Sequence, residues 1–246
     1  AATSLINTLS GGYSFPERLW FSVVPFAQTV RLDPTTAVNN NWVDEECQSS
    51  ISQLNFSNNM CAYTVLETMS TGTTWAGCVE ARPGDLATED TAPSATNPDT
   101  LFVPYFQPDE PDEGENKAPS GTVDYDYTND YLEEAYVHTR TYSQPGSTEL
   151  VRLMDTKKYE NQNKNSYVNQ NCLNLAEVLP LTNDMDAVKD TINDMGAQGY
   201  THIPFGAVWG WRTLSPGAPF TEGVEYDDPD VDKVLIIMTD GENTVP

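Results

Sequence analysis

The apolar positions of this chain are ordered at its two ends and scattered between them. In the opening AATSLINTL, Leu5, Ile6 and Leu9 recur at helical spacing and Gly11-Gly12 breaks the pattern, which predicts a short amino-terminal helix. LWFSVVPF, residues 19–26, is β-branched and aromatic, and QTVRL continues after Pro25 as a second extended piece. A helix feeding a strand pair is therefore expected. From Asp33 to about Ala176 the periodicity fades, and a stretch that long is expected to carry structure of its own. Within it, Val65, Leu66 and Met69 predict a short helix between Cys47 and Met69, while TEDTAPSATNPD is turn-forming. LFVPYF reads as a strand or strand edge, PDEPDEGENKAPSG as an exposed, mobile loop and VHTRTY as a strand edge. No internal repeat is evident.

Periodicity returns at Glu177. EVLPLT reads as a short strand, after which Asn183 or Asp184 caps a helix with Val188, Ile192 and Met195 on one face. Gly196 and Gly199 bracket a tight connection to Thr201, and a second helix from about Ile203 is expected to bury Ile203, Ala207, Val208 and Trp211, ending near Leu214 and Pro216. After an acidic loop, VDKVLIIM is a continuous apolar run, the pattern of a strand covered on both faces in a parallel sheet, and TDGEN follows at its carboxyl end. Strands alternating with helices predict an α/β fold with a doubly wound, mostly parallel sheet.

Composition narrows the partners. The 246 residues include 37 acidic and 12 basic side chains, a formal charge of −25, which repels phosphate backbones and anionic lipid surfaces and argues against nucleic acid. Four cysteines, Cys47, Cys61, Cys78 and Cys172, lack any C-x-x-C pair, and the two histidines lie elsewhere, so two disulfides and an oxidising compartment are expected instead of a zinc site. Three pairings are open; proximity in sequence favours Cys47 with Cys61, leaving Cys78 for Cys172. No apolar run approaches the roughly 20 residues that span a bilayer. Both ends read as cut, so any membrane anchor is expected outside this chain.

Candidate chemistry lies where an open α/β sheet presents ligands, at the carboxyl ends of its strands. Asp240 closes the VLIIM run and Thr201 sits on a glycine-bounded loop; a carboxylate and a hydroxyl are two hard oxygen donors suited to Mg2+ or Ca2+. The structural alternative is that Asp240 caps a turn and Thr201 a helix. Asp124, Asp126, Thr128 and Asp130 resemble the start of a calcium loop, but Asn129 stands where glycine is required and Ala135 where glutamate is. Trp209, Trp211 and Phe220 read as core aromatics, not a carbohydrate platform, and Trp75 beside Cys78 as packing for a disulfide. His138 and Arg140 have no aspartate or nucleophile tied to them by spacing, so no catalytic residue is assigned.

The segments LPLTND, GAQGYTHIPFGAVWGWRTLSP, APFTEG and DKVLIIMTDGEN, in that order, resemble the carboxyl-terminal part of TadG-like proteins of the tight-adherence (Flp) pilus system, whose domain is of the von Willebrand factor A type. AATSLINTL and LWFSVVPFAQTVRL look like the first helix and second strand of that domain; TWAGCVEARPGD and NPDTLFVPYFQPDEPD resemble its insertion. Together these segments cover about half of the chain. The resemblance implies a first domain part over residues 1–33, an insertion over 34–176 and a second part over 177–246. It also implies a metal-ion-dependent adhesion site in which Thr201 matches the family's threonine and Asp240 its aspartate. The family's D-x-S-x-S loop is absent from the sequence and is expected, with the central first strand, before Ala1. A gap is then expected between the strands at 19–24 and 232–238, filled by unassigned chain or by a segment of another molecule.

What the resemblance implies for function is an extracytoplasmic, non-enzymatic binding or assembly module that takes a protein partner, with Mg2+ or Ca2+ as a candidate ion. Two alternatives accompany it. One is a structural surface or filament-associated protein with a vestigial metal site. The other is a secreted calcium-dependent hydrolase using carboxylates such as Asp124, Asp126, Glu133 and Glu134.

Overall fold

The computed structural model describes residues 1–55, 61, 74–106, 123–126, 137–140, 169–197, 199–239 and 241–243. Helix α1 (Ala2–Ser10) ends as expected at Gly11, whose φ of 59° lies in the left-handed region that terminates helices. Strands β1 (Phe21–Val23) and β2 (Val30–Arg31) follow, then helix α2 (Pro34–Asn39). Asp33 starts α2 by accepting a hydrogen bond from the Thr36 amide at 2.7 Å, and Pro34 occupies the first turn, where an amide hydrogen is not missed. Helix α3 (Ser50–Asn55) grows from a buried carboxylate: Asp44 accepts from the amides of Gln48 (2.8 Å) and Ser49 (2.9 Å) and from the Ser52 hydroxyl (2.6 Å). The remaining elements are β3 (Cys78–Val79), β4 (Val123–Asp126), β5 (Val137–Arg140), α4 (Gln170–Leu173), β6 (Leu179–Thr182), α5 (Met185–Asn193) and α6 (Ile203–Leu214). Asp184 caps α5, accepting from the amides of Asp186 and Ala187.

The doubly wound, mostly parallel sheet expected from the sequence is not what forms. Among the described residues the strands make three separate two-stranded antiparallel pairs, β1 with β6, β2 with β3 and β4 with β5. The decisive departure is at VDKVLIIM. Residues 231–239 form no helix and join no strand ladder, and Val234, Leu235, Ile236, Ile237 and Met238 are 69, 45, 54, 47 and 46% exposed. An apolar run states that burial would be favourable; it does not supply the neighbouring strand that must accept its backbone hydrogen bonds.

Around the β1–β6 pair, alternation along the strand still sorts side chains to two faces. Phe21, Val23 and Leu179 pack with Ile6 of α1 and Met185, Val188 and Ile192 of α5. Val24, Phe26 and Val178 pack instead with Phe205, Val208 and Trp209 of α6. The second cluster also takes Val43, Trp75, Val79, Phe102 and Phe106 from the 34–176 stretch, so that stretch shares its core with the chain's two ends. LFVPYF supplies the lacing: Phe102 bridges to Val43 and Pro104 to Val79, with Glu80 N donating to Val103 O and Tyr105 N to Cys78 O, each at 2.8 Å.

Two helical phases differ from expectation. In α6 the buried face is Phe205, Val208, Trp209 and Arg212, whereas Trp211 is 37% exposed and Ile203 and Ala207 are only half-buried. Trp209 is fully buried, 4.7 Å from the Phe102 ring centroid and edge-on to Phe205 and Phe220. Leu9 and Met195 fit the helical spacing but lie at helix ends beyond their neighbours' cover, and both are exposed.

Both expected disulfides form. Cys47 bonds Cys61, and Cys78 bonds Cys172 across 94 residues within a buried cluster containing Ala27, Ala76 and Leu175. Trp75 donates its indole hydrogen to the Cys78 carbonyl. VHTR does form a strand, β5. The predicted helix carrying Val65, Leu66 and Met69, and the loop PDEPDEGENKAPSG, lie outside the described residues.

Candidate functional site

Thr201 sits on the connection entering α6, half-buried, at a rim built from four pieces of chain. The approach is shaped by Gly199, at φ 66°, where a β carbon would come within 2.8 Å of the Gln28 side-chain oxygen. Glycine is required there for both reasons. Gln28 ties the loop down: its Oε1 accepts from the Tyr200 amide (3.1 Å), its Nε2 donates to the Tyr105 hydroxyl (2.7 Å), and the His202 amide donates to Ala27 O (3.0 Å). His202, the N-cap residue, makes no side-chain cap; the Ile203 amide donates instead to Asn243 Oδ1 at 3.0 Å. A residue 40 positions downstream thus caps α6.

The turn after VLIIM closes over the same spot. The Gly241 amide donates to Thr239 Oγ1 (3.2 Å), and a β carbon placed on Gly241 would lie 3.0 Å from Thr201 Oγ1. Thr239 and Gly241, the residues on either side of Asp240, therefore sit beside Thr201. Asp240 itself lies outside the described residues. His202 stacks on Phe205, centroids 5.5 Å apart, and burial holds its imidazole below the ordinary histidine range, partly offset by a hydrogen bond involving the Gln28 backbone.

A divalent ion needs several oxygen donors converging on one point. Among the described residues no group of three or more histidine, cysteine, aspartate or glutamate side chains comes together. The described donors at the rim, hydroxyls and a carboxamide, do not by themselves fit Mg2+ or Ca2+. Of the calcium-loop residues, Asp124 and Asp126 fall in strand β4, paired with β5 opposite Thr139 and Val137, instead of in a loop. Asp130, Glu133 and Glu134 lie outside the described residues. His138 and Arg140 fall in β5, opposite Tyr125 and Val123.

Comparison with protein-family models, with curated proteins and with solved structures finds no match.

Sequence reasoning missed two features. The first is a pair of buried arginines behind α6: Arg82 and Arg212 both lie over the Phe102 ring, at 5.1 and 5.3 Å, and share the carbonyls of Leu86 and Glu89. Burial lowers Arg82 to about 10, against the pull of Glu89 and Asp90; burial and the neighbouring Arg82 charge lower Arg212 to about 9. Both stay cationic at neutral pH. Asp90 joins them to the surface by accepting from Ser215 Oγ (2.8 Å) and the Tyr226 hydroxyl. Burial works to raise its carboxyl, but those two hydrogen bonds prevail and hold it below the usual range. The second feature is a groove of about 990 Å3 beside β2, lined by Arg31, Trp42, Glu177 and Phe220 among others. Arg31 is spent internally, on Glu177 (3.2 Å) and on the carbonyls of Ala76 and Leu175. Isolated arginines in a sequence carry no signal of either arrangement.

Two disulfides point to folding in an oxidising, extracytoplasmic environment, and among the described residues no helix is long and apolar enough to cross a membrane.

Proposed function

We propose that this chain is a non-enzymatic, extracytoplasmic binding or assembly module of a tight-adherence pilus system, engaging a protein partner at the rim where α6 begins. The reading is carried by one observation: the Thr201 hydroxyl, Thr239 and Gly241 meet at the amino terminus of a twelve-residue helix. The helix dipole there favours an incoming carboxylate, with or without an ion to bridge it. The pilus assignment rests on the likeness of LPLTND, THIPFGAVWGWRTLSP and DKVLIIMTDGEN to TadG-like proteins. In the metal-dependent form, Thr201 and Asp240 contribute two ligands to Mg2+ or Ca2+, and further ligands come from outside this sequence. A second reading makes the ion site vestigial and the chain a structural, filament-associated protein; it is favoured by the lack of a three-ligand cluster among the described residues.

Binding to purified pili, measured by surface-immobilised titration, separates these. The metal-dependent form predicts at least a tenfold loss of affinity with EDTA, and the same loss for Asp240→Ala and Thr201→Val. Equal affinity under all conditions leaves the structural reading, and no binding to pili removes the pilus assignment.

A further inference from the structure

Residues 231–239 differ from every other described apolar segment. The backbone belongs to no helix or strand, no backbone–backbone hydrogen bond from residues 234–238 occurs among the described residues, and five consecutive apolar side chains are 45–69% exposed. The segment is nonetheless held in place at three points along α6. Lys233 Nζ donates to the carbonyls of Leu214 and Val224 and lies 4.2 Å from the Tyr226 ring centroid. Leu235 fits the notch at Gly210, where a β carbon would come within 2.5 Å of its Cδ1. Beyond the run, Asn243 caps Ile203. A pinned apolar segment whose backbone groups are unpaired can take up strand addition.

Charge indicates what can add. The loop leading into the segment carries Glu222, Glu225, Asp227, Asp228, Asp230 and Asp232, and the only cation there, Lys233, is occupied by carbonyls. A second copy of a chain with formal charge −25 meets this loop with the same sign. We propose that residues 233–239 are the receiving edge for an extended strand of a protein partner, with apolar residues at alternate positions and basic residues at its ends. The apolar side chains cover the exposed face of 234–238, main-chain hydrogen bonds set the register, and the basic ends meet the acidic loop. The proposal rests on the reading of this chain as a binding module only in taking a protein as the partner, and it requires no metal.

Amide hydrogen exchange of the whole chain, in EDTA, tests it. The probe is a synthetic peptide alternating valine and threonine between paired lysines. Amides of 234–238 are expected to exchange at least tenfold more slowly with peptide present. Ile236→Pro, which removes one donor at an exposed position, should abolish that protection while leaving α6 protected as before. A peptide with glutamates in place of lysines should bind at least tenfold more weakly. The proposal is overturned by absence of protection, by protection that survives Ile236→Pro, or by equal binding of the glutamate peptide. Protection that grows with protein concentration and no peptide would make a second copy the occupant, which also overturns it. Because EDTA is present throughout, failure here leaves the metal-dependent reading of the rim standing, and the reverse holds for the pilus titration.

Discussion

Removing the Cys78–Cys172 disulfide by a double change to alanine should cost far more than removing Cys47–Cys61, and the difference follows from where each bond closes the chain. The first spans 94 residues and the second 14. Loop-closure entropy assigns about 4.7 kcal/mol to a loop near 100 residues and about 3 kcal/mol to one near 15. Packing widens the gap: Cys78 and Cys172 are essentially fully buried, and their sulfurs fill a cluster with Ala27, Ala76 and Leu175. Net domain stability is typically about 5–15 kcal/mol, so losing the long-range bond removes a large part of it. With an m-value of about 2.5 kcal/mol/M, the urea midpoint should fall by about 2 M for Cys78→Ala/Cys172→Ala and by about 1 M for Cys47→Ala/Cys61→Ala. Tryptophan fluorescence suits the assay, because Trp75 and Trp209 both report on the main core. A larger midpoint shift for the short-range pair, or a loss below about 2 kcal/mol for the long-range pair, would refute the idea that Cys78–Cys172 is the bond that holds β3 and α4 together within the 34–176 stretch.

Two more outcomes follow from the same core. Trp209→Ala should destabilise by about 3–5 kcal/mol and Trp211→Ala by under about 1 kcal/mol, in denaturant melts, since only the former fills the space against Phe102 and Phe220; similar losses would place the buried face of α6 wrongly. His202 has a folded pKa below its ordinary 6.5, so the unfolded chain binds more protons in the window between the lowered value and 6.5, and stability should fall as pH drops through that window. His202→Gln should flatten that part of the stability–pH curve, and an unchanged slope would mean the imidazole is not buried against Phe205.

Local structure was legible in the sequence wherever a residue acts on its near neighbours. Gly11 stops α1, Asp184 caps α5, Gly199 bends the chain into Thr201, and proximity favoured the cysteine pairing that forms. Pairing between distant segments was not legible. Val234–Met238 has the composition of a doubly covered strand, yet composition records only the preference for burial, and β6 turned out to pair antiparallel with β1. The phase of α6 was missed because two tryptophans two positions apart point to different faces, and Arg212, charged on paper, belongs to the buried stripe through its stacking on Trp209 and Phe102. For the site, Thr201 and its glycine neighbour could be read; the cap from Asn243 could not, since a carboxamide 40 residues away leaves no local pattern.

The exposed run carries a physical implication of its own. Completely burying a valine, leucine, isoleucine or methionine side chain is worth about 1.5–3 kcal/mol, so five such residues left about half exposed forgo roughly 5 kcal/mol. That is comparable to the whole net stability of many domains. A surface loop under no other constraint would not keep five consecutive apolar residues there, and scattered exposure would not come with three separate anchors to one helix. Lys233, Leu235 and Asn243 hold the run along α6 and bring the following turn against Thr201. The rim and the unpaired apolar run are therefore parts of one piece of chain, seated on a helix that Trp209 and Arg212 fix in the core. The residues that follow 234–238 lie against Thr201, so whatever covers the run acts on the same piece of chain that closes over the rim.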